Sequence, residues 1–563
     1  MSTPDLIRSA HAFAGTSPDA LLLDHHSLGA LLNQRATEQP DALLLKFFDD
    51  DTGETASYSY SQFAQLVEQA AGFLASHGLK AGDCFATLSH NHPMGAVLLF
   101  AGWKLGLIVA PQNVSEDDAR IAFILRDAGA KLCIAHPGMM ARAMQLASAA
   151  PGVQHTLSFD DVLATETPHK SLKVVRQAHH ERSQQFTVRP EPVEGLNRRF
   201  PDQTKAPRSK EDYRRHPALI VYTSGTTGNP KGVMLTQYNL MINAQGIAAW
   251  HSLDGNARVM CVLPIHHVNG IVVTLVTTVV AGAALVLNRS FKVSTFWKRL
   301  AEEGVAIVSV VPTILQFLCE AHEDVSALDL SRFRYFICGA GTLPISLVEK
   351  FDAQFGLRVL HGYGLSETTA FTCTMPVELP RKARQYWLCG HGYPSIGTVF
   401  PHCEMAIHDP DGVCLPKGKR GEIVIRGHYI MAGYHHRPDA NADAFKHGWF
   451  RSGDEGFFEI DESGHQFFFI TGRLKELINR GGVKYSPFEI EEVLLSIPGV
   501  KAGLAIAFDN DWYGEEVGAY IVRESNAAIT ANEILAACRS VMPFSKCPKR
   551  RANIGFAAMV IPA

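Results

Sequence analysis

Helical and extended segments alternate along most of this chain, which restricts it to a helix-covered, mostly parallel sheet. Apolar residues at helical spacing run from Phe63 to His77, Gly78 and Gly82-Asp83 make a turn, and Cys84–Ser89 reads as a short buried strand. A helix over Met94–Leu105 leads into a strand over Leu107–Ala110, and the alternation resumes at Ala218 and continues to about Gly472. Beyond Arg473 the units shorten to a hairpin in LKELINRGGVKYSP, a helix over Pro487–Leu495, strands over Ala502–Phe508 and Gly518–Val522, and a helix over Ala531–Val541. The expected architecture is α/β: a large N-terminal multi-sheet α/β domain at 1–472 and a small C-terminal α+β domain at 475–563. A chain of 563 residues is too long for a single compact core.

Two stretches interrupt that rhythm. Gly270–Leu287 carries no charge and is long enough to suggest a membrane helix, but its threonines, Gly282 and paired valines favour a buried helix running into a buried strand. Residues 176–215 hold eight apolar or aromatic side chains against ten Lys or Arg and six Asp or Glu. Such a segment buries too little apolar surface to offset its ordering entropy, so a disordered surface insertion is expected there. The formal charge of -4 leaves no electrostatic footprint for nucleic acid. Eleven cysteines without CxxC spacing suit reduced thiols in a cytoplasmic protein and give no zinc site, and the N-terminus has no secretory pattern. The histidine doublets at 25–26, 179–180 and 435–436 are expected at the surface.

The strongest chemical signal is Tyr222-Thr-Ser-Gly-Thr-Thr-Gly-Asn-Pro-Lys-Gly232, directly after the apolar strand Ala218–Val221. Its glycines let successive N–H groups turn toward an anion, Ser224, Thr226 and Thr227 add hydroxyl donors, and Lys231 adds a point charge. The spacing differs from a Walker P-loop, which ends in Gly-Lys-Ser/Thr.

This segment resembles the phosphate loop of the adenylate-forming superfamily, the acyl-CoA synthetases among them, and further motifs recur in that family's order along nearly the whole chain. The resemblance implies nucleotide contacts from Thr223, Ser224, Gly225, Thr226, Thr227 and Gly228, and a phosphate-neutralising role for Lys231. Leu263-Pro-Ile-His-His-Val-Asn-Gly270 resembles the segment whose histidine, here His267, lies beside the acyl pocket. Gly339, Ala340 and Gly341 resemble the turn along the adenine. In His361-Gly-Tyr-Gly-Leu-Ser-Glu-Thr368, Gly362 and Tyr363 would meet the adenine, Ser366 the α-phosphate, and Glu367 would hold Mg²⁺. Asp454 of Trp449-Phe-Arg-Ser-Gly-Asp454 and Arg473 would take the ribose, with Lys475 at the hinge of a mobile C-terminal domain. Gly481 and Gly482 match the glycine loop that approaches the pantetheine arm of coenzyme A.

The implied activity is ATP-dependent acid–CoA ligation: a carboxylate is activated as acyl-AMP and then transferred to CoA, with ATP, Mg²⁺ and coenzyme A required. Gly364 falls where acetate-specific relatives carry a tryptophan, so an open pocket floor and an acid larger than acetate, a fatty acid first, are expected. The expected partners are small molecules, with no nucleic acid and no transmembrane segment; peripheral membrane contact and a homodimer stay open. One departure stands out. The family's small domain ends in Pro-x-Thr-x-x-Gly-Lys, and by eye that lysine would fall about five residues beyond Ala563, with neither Lys546 nor Lys549 matching it. Alternatives are therefore an adenylation-impaired, truncated remnant that binds nucleotide, or an acyl-AMP ligase that loads a carrier protein.

Overall fold

The computed structural model describes residues 1–164, 214–223, 230–524 and 527–549, together with the backbone of a last strand, Ala558–Ile561. Ser224, Gly225, Thr226, Thr227 and Gly228 lie outside the described residues, as does the expected insertion apart from Arg214 and Arg215.

Three sheets organise the described chain. The first has thirteen strands in hydrogen-bonded order, and its centre is parallel: Val359–Tyr363, Tyr335–Cys338, Ile307–Val310, Arg258–Cys261, Ala284–Asn288 and Leu43–Phe48 run side by side. The second has seven strands, parallel from Pro217–Thr223 through Ile108–Gln112 and Cys84–Leu88 to Ala130–Ala135 and His155–Ser158. Lys231–Thr236 closes its other edge as an antiparallel partner of Pro217–Thr223, and the two-residue strand Gly433–Tyr434 pairs beyond it. Two of the parallel strands, Cys84–Leu88 and Tyr335–Cys338, are buried at every position, as strands covered on both faces are. The mixed α/β class expected from the alternation is the class observed.

A third, five-stranded sheet begins after the first sheet's strand Gln466–Arg473 ends. It combines the hairpin Ile478–Arg480/Val483–Tyr485 with the long antiparallel pair Val500–Asn510/Gly514–Arg523, and Ala558–Ile561 adds in parallel. Its core, from Ile478 to Cys547, is a cluster separate from that of the large sheets. Two helices cover it. Pro487–Leu495 starts at Ser486, whose hydroxyl accepts from the Glu489 N–H, and Ala531–Val541 starts in a Thr530/Glu533 capping box.

The uncharged stretch after Gly270 is buried as expected: a wide π-turn over Asn269–Val276 continues as a helix to Ala281, Gly282 turns with φ 70°, and Ala284–Asn288 is a strand. Thr274 and Thr277 return their hydroxyls to the carbonyls of Gly270 and Val272 at 2.5 and 2.7 Å, while the buried Thr278 hydroxyl is left without a partner among the described residues. Among the described residues no helix is long and apolar enough to cross a membrane. One expectation is corrected: His25, His26 and His435 are half-buried rather than surface residues, and only His436 of those four is exposed. His435 reaches back to the Asp127 carbonyl at 3.0 Å, which draws its ring inward. Residues 179–180 lie outside the described residues.

Candidate functional site

A cavity of about 1340 Å³ opens between the strand ends of the two large sheets and the start of the small one. The hairpin that carries the phosphate-loop sequence enters it first. Thr223 and Lys231 are cross-strand partners at the ends of their strands, and both line the cavity. Gly232 keeps the hairpin tight, since a Cβ there would sit 2.8 Å from the Ile220 side chain and 3.0 Å from the Tyr222 ring. The Lys231 ammonium stands 4.8 Å from the centroid of the Tyr434 ring. Tyr434 in turn donates its hydroxyl to Glu367 Oε1 at 2.8 Å. Burial and the neighbouring Glu367 carboxylate push the Tyr434 phenol well up, so it remains a donor. Tyr434 is a site residue that the sequence reading missed; it lies some two hundred positions from Lys231, and only strand pairing brings the two together.

The strand Val359–Tyr363 delivers the next group. Tyr363 donates to Asp454 Oδ2 at 2.6 Å, while Arg473 Nε meets Asp454 Oδ1 at 2.7 Å. Asp454 and Arg473 are direct partners on the antiparallel strands Phe450–Ile460 and Gln466–Arg473, which is why residues from two motifs form one pair. Asp454 is only 3% exposed, and that burial raises its pKa to about 6 against the opposing pull of Arg473 and the Tyr363 hydrogen bond. Nearby, Arg451 pairs with Glu422 through Nε at 2.7 Å, and Glu422 also receives the Gly453 N–H at 2.9 Å. These fixed charges hold the turn before Asp454 in place.

Ala340 adopts a left-handed φ of 60°, and both Ala340 and Gly341 face the cavity. Gly339 sits behind the wall, where a Cβ would lie 2.8 Å from the Phe371 ring. Ser366 and Glu367 form a single turn after the strand and line the cavity with Gly362 and Gly364. Gly364 does not open the pocket floor as expected. A Cβ at that position would lie 1.5 Å from the Ala370 carbonyl oxygen, so its missing side chain makes room for backbone rather than for substrate. His267 turns its ring to the cavity and keeps solvent contact, yet the surrounding protein lowers its pKa below the ordinary imidazole value. His361, buried and bonded to the Ser395 carbonyl at 3.0 Å, is lowered to about 4 by burial.

The small sheet contributes the last wall. Lys475 lines the cavity from the turn before the hairpin, and Phe488 and Glu492 line it from the helix Pro487–Leu495. Burial raises Glu492 to about 7, although it accepts the Ile345 N–H at 3.2 Å. One turn earlier Glu489 receives Arg420 at 2.6 Å and also binds Tyr393 and Lys546, which ties the small sheet to the large one. Lys546 is thus engaged outside the cavity, and Lys549 donates to the Cys547 carbonyl at 2.8 Å. Gly481 and Gly482 make the hairpin turn with φ of 60° and 86°, the Gly481 N–H bonds the Tyr513 carbonyl, and neither lines the cavity in this conformation.

The donor set suits a nucleotide with one hard cation. Oε2 of Glu367 has no partner among the described residues, and no group of three or more His, Cys, Asp or Glu sides could hold a metal by itself there. Mg²⁺ is ordinarily held through one or two carboxylates plus substrate phosphates, which this arrangement fits.

A family profile described as AMP-binding enzyme matches residues 32–435. The chain is 33% identical over 526 residues to the sulfoacetate–CoA ligase of Cupriavidus necator, covering 93% of each. It is 30% identical over 535 residues to the oxalate–CoA ligase of Arabidopsis thaliana, covering 94% of this chain and 95% of the relative. Among solved structures, ATP-bound MatB from Rhodopseudomonas palustris superposes with a TM-score of 0.77 at 23% identity, over 96% of this chain and 95% of that one.

Proposed function

Because this chain belongs to the AMP-binding enzyme family, we propose that it is an ATP-dependent acid–CoA ligase acting on a carboxylic acid larger than acetate. The observation that carries this reading is that Lys231, Asp454 and Arg473, from separate segments of the chain, line one cavity. In the first half-reaction a carboxylate oxygen of the acid attacks the α-phosphorus of ATP; the bond to the bridging oxygen breaks and pyrophosphate leaves. Three anionic groups crowd together there, so positioning and neutralisation are the main demands on the protein. Lys231 supplies a fixed positive charge, Ser366 a hydroxyl donor, and Glu367 a carboxylate for Mg²⁺. When bound, Mg²⁺ would neutralise phosphate charge. The Asp454 carboxylate, oriented by Tyr363 and Arg473, accepts from the ribose hydroxyls, and Gly362, Ala340 and Gly341 flank the base.

In the second half-reaction the thiol of CoA loses its proton and its sulfur attacks the acyl carbonyl, and AMP leaves. In this reading the chain comprises a nucleotide-binding unit at 1–472 and a mobile unit at 475–563, with Lys475 taking up the rotation that brings Gly481 and Gly482 toward the pantetheine arm. ATP–pyrophosphate exchange with a panel of acids tests the first half, and thioester formation from supplied acyl-AMP tests the second. Exchange with acids longer than acetate supports the reading. Silence in exchange with thioester formation retained marks an adenylation-impaired protein, and transfer only to a carrier-protein thiol marks a different acceptor.

A further inference from the structure

Where the segment 263–273 lines the cavity, two polar groups are held in place and left uncommitted. The turn Pro264–Gly270 is closed by the His267 N–H bonding the Pro264 carbonyl at 3.2 Å. It depends on Gly270, where a Cβ would lie 2.3 Å from that same carbonyl oxygen. The turn presents His267 and Asn269 to the cavity. Ser309, buried in the strand Ile307–Val310, donates its hydroxyl to Asn269 Oδ1 at 2.8 Å. That bond occupies the carbonyl side of the carboxamide and leaves its NH₂ as the free donor. Neither the Asn269 NH₂ nor either ring nitrogen of His267 has a hydrogen-bond partner among the described residues.

Their surroundings are apolar. Leu263, Val268, Val273, Val311 and Leu343 line the same cavity. None of the segments that bring these residues, 263–273, 309–311 and 340–343, contains Lys or Arg. The cavity's cations, Lys231, Arg451, Arg473 and Lys475, come from the phosphate, ribose and hinge segments. A saturated chain in this position strips water from the Asn269 amide and returns nothing. A second carboxylate or a sulfonate loses its hydration, and these segments bring no cation of their own to replace it. A neutral oxygen meets neither penalty.

Resting on the ligase reading above, we infer that this site selects carboxylic acids whose chain bears an uncharged hydrogen-bond acceptor, a hydroxyl, keto or ether oxygen, received by Asn269 and His267. Ser309 acts as a positioning residue, since it sets which face of the carboxamide looks into the cavity. The acids named for the two relatives, sulfoacetate and oxalate, are dianions and fall outside this class.

Three non-hydrolysable acyl-sulfamoyl adenosines test the inference on the full chain by calorimetry. They match in length and carry a plain hydrocarbon chain, the same chain with one keto oxygen, or a terminal carboxylate. The keto compound is expected to bind about tenfold tighter than the hydrocarbon, the size of one net hydrogen bond, and the carboxylate compound most weakly. In Asn269→Leu the keto-to-hydrocarbon ratio collapses toward one, and in Ser309→Ala it falls part of the way, while AMP affinity in both stays at the wild-type value. That AMP titration also reports whether each variant is folded. Equal or tighter binding of the hydrocarbon or the carboxylate compound by the wild type overturns the inference and leaves the ligase reading standing. Failure of AMP and all three compounds to bind overturns both.

Discussion

The parts of the cavity proposed for the nucleotide and for the acyl chain are built on opposite plans. At the first, protein groups already occupy one another: Asp454 holds Tyr363 and Arg473, Glu367 holds Tyr434, and Lys231 rests over the Tyr434 ring. At the second, Asn269 and His267 wait among aliphatic side chains with their donors unspent. A ligand common to every turnover can be met by charges preorganised against each other, because those charges need no rearrangement when it arrives. Discrimination between acids needs groups that are costly to bury unpaired, which is what the part proposed for the acyl chain holds.

The largest effect that would break this contrast is at Lys231. Lys231→Met removes the neutralising charge and is expected to slow ATP–pyrophosphate exchange by on the order of a hundredfold or more, at unchanged melting temperature. Asp454→Asn comes next. It keeps the shape but removes the ion pair with Arg473, and AMP affinity read by calorimetry should fall by about tenfold to a hundredfold. The pH dependence sharpens the same point. The folded pKa of Asp454 is raised to about 6, above the ordinary carboxylate value, so the neutral form appears as pH falls through about 6. Wild-type AMP affinity should therefore weaken between pH 7 and pH 5, and the Asn variant should lose that inflection. Stability moves the other way: the raised pKa means proton uptake near pH 6 favours the folded state, an advantage lost as pH rises through that value.

A smaller effect is expected at Gly270. Gly270→Ala forces a methyl group against the Pro264 carbonyl and should cost about 1–3 kcal/mol of stability, seen in a denaturant titration, with a raised KM for the acid and little change in KM for ATP. Tyr434→Phe is the mildest. Losing one neutral donor to Glu367 should cost about 1 kcal/mol, a several-fold rise in KM for ATP that leaves acid preference untouched.

Local pattern alone placed many elements. The helices Pro487–Leu495 and Ala531–Val541 were readable because each begins at a capping residue, Ser486 or Thr530, and carries an apolar face. The strands Cys84–Leu88 and Pro217–Thr223 were readable as mainly apolar runs, and the motif residues Lys231, Glu367, Asp454 and Arg473 stood out by their order along the chain. Tyr434, Ser309 and Asn269 did not stand out as a set, because each is ordinary in its own segment and gains meaning from a neighbour far away in sequence.

What the amino-acid order determined by itself is the local conformation and the chemistry available in each motif, since caps, periodicity and glycine turns act over a few residues. Only the tertiary structure decided which groups meet. Strand register set Asp454 against Arg473, sheet pairing brought Tyr434 to Lys231, and the Ala370 carbonyl rather than an acyl chain took the space beside Gly364. Such distances depend on how separate segments pack together, and no short-range pattern encodes them.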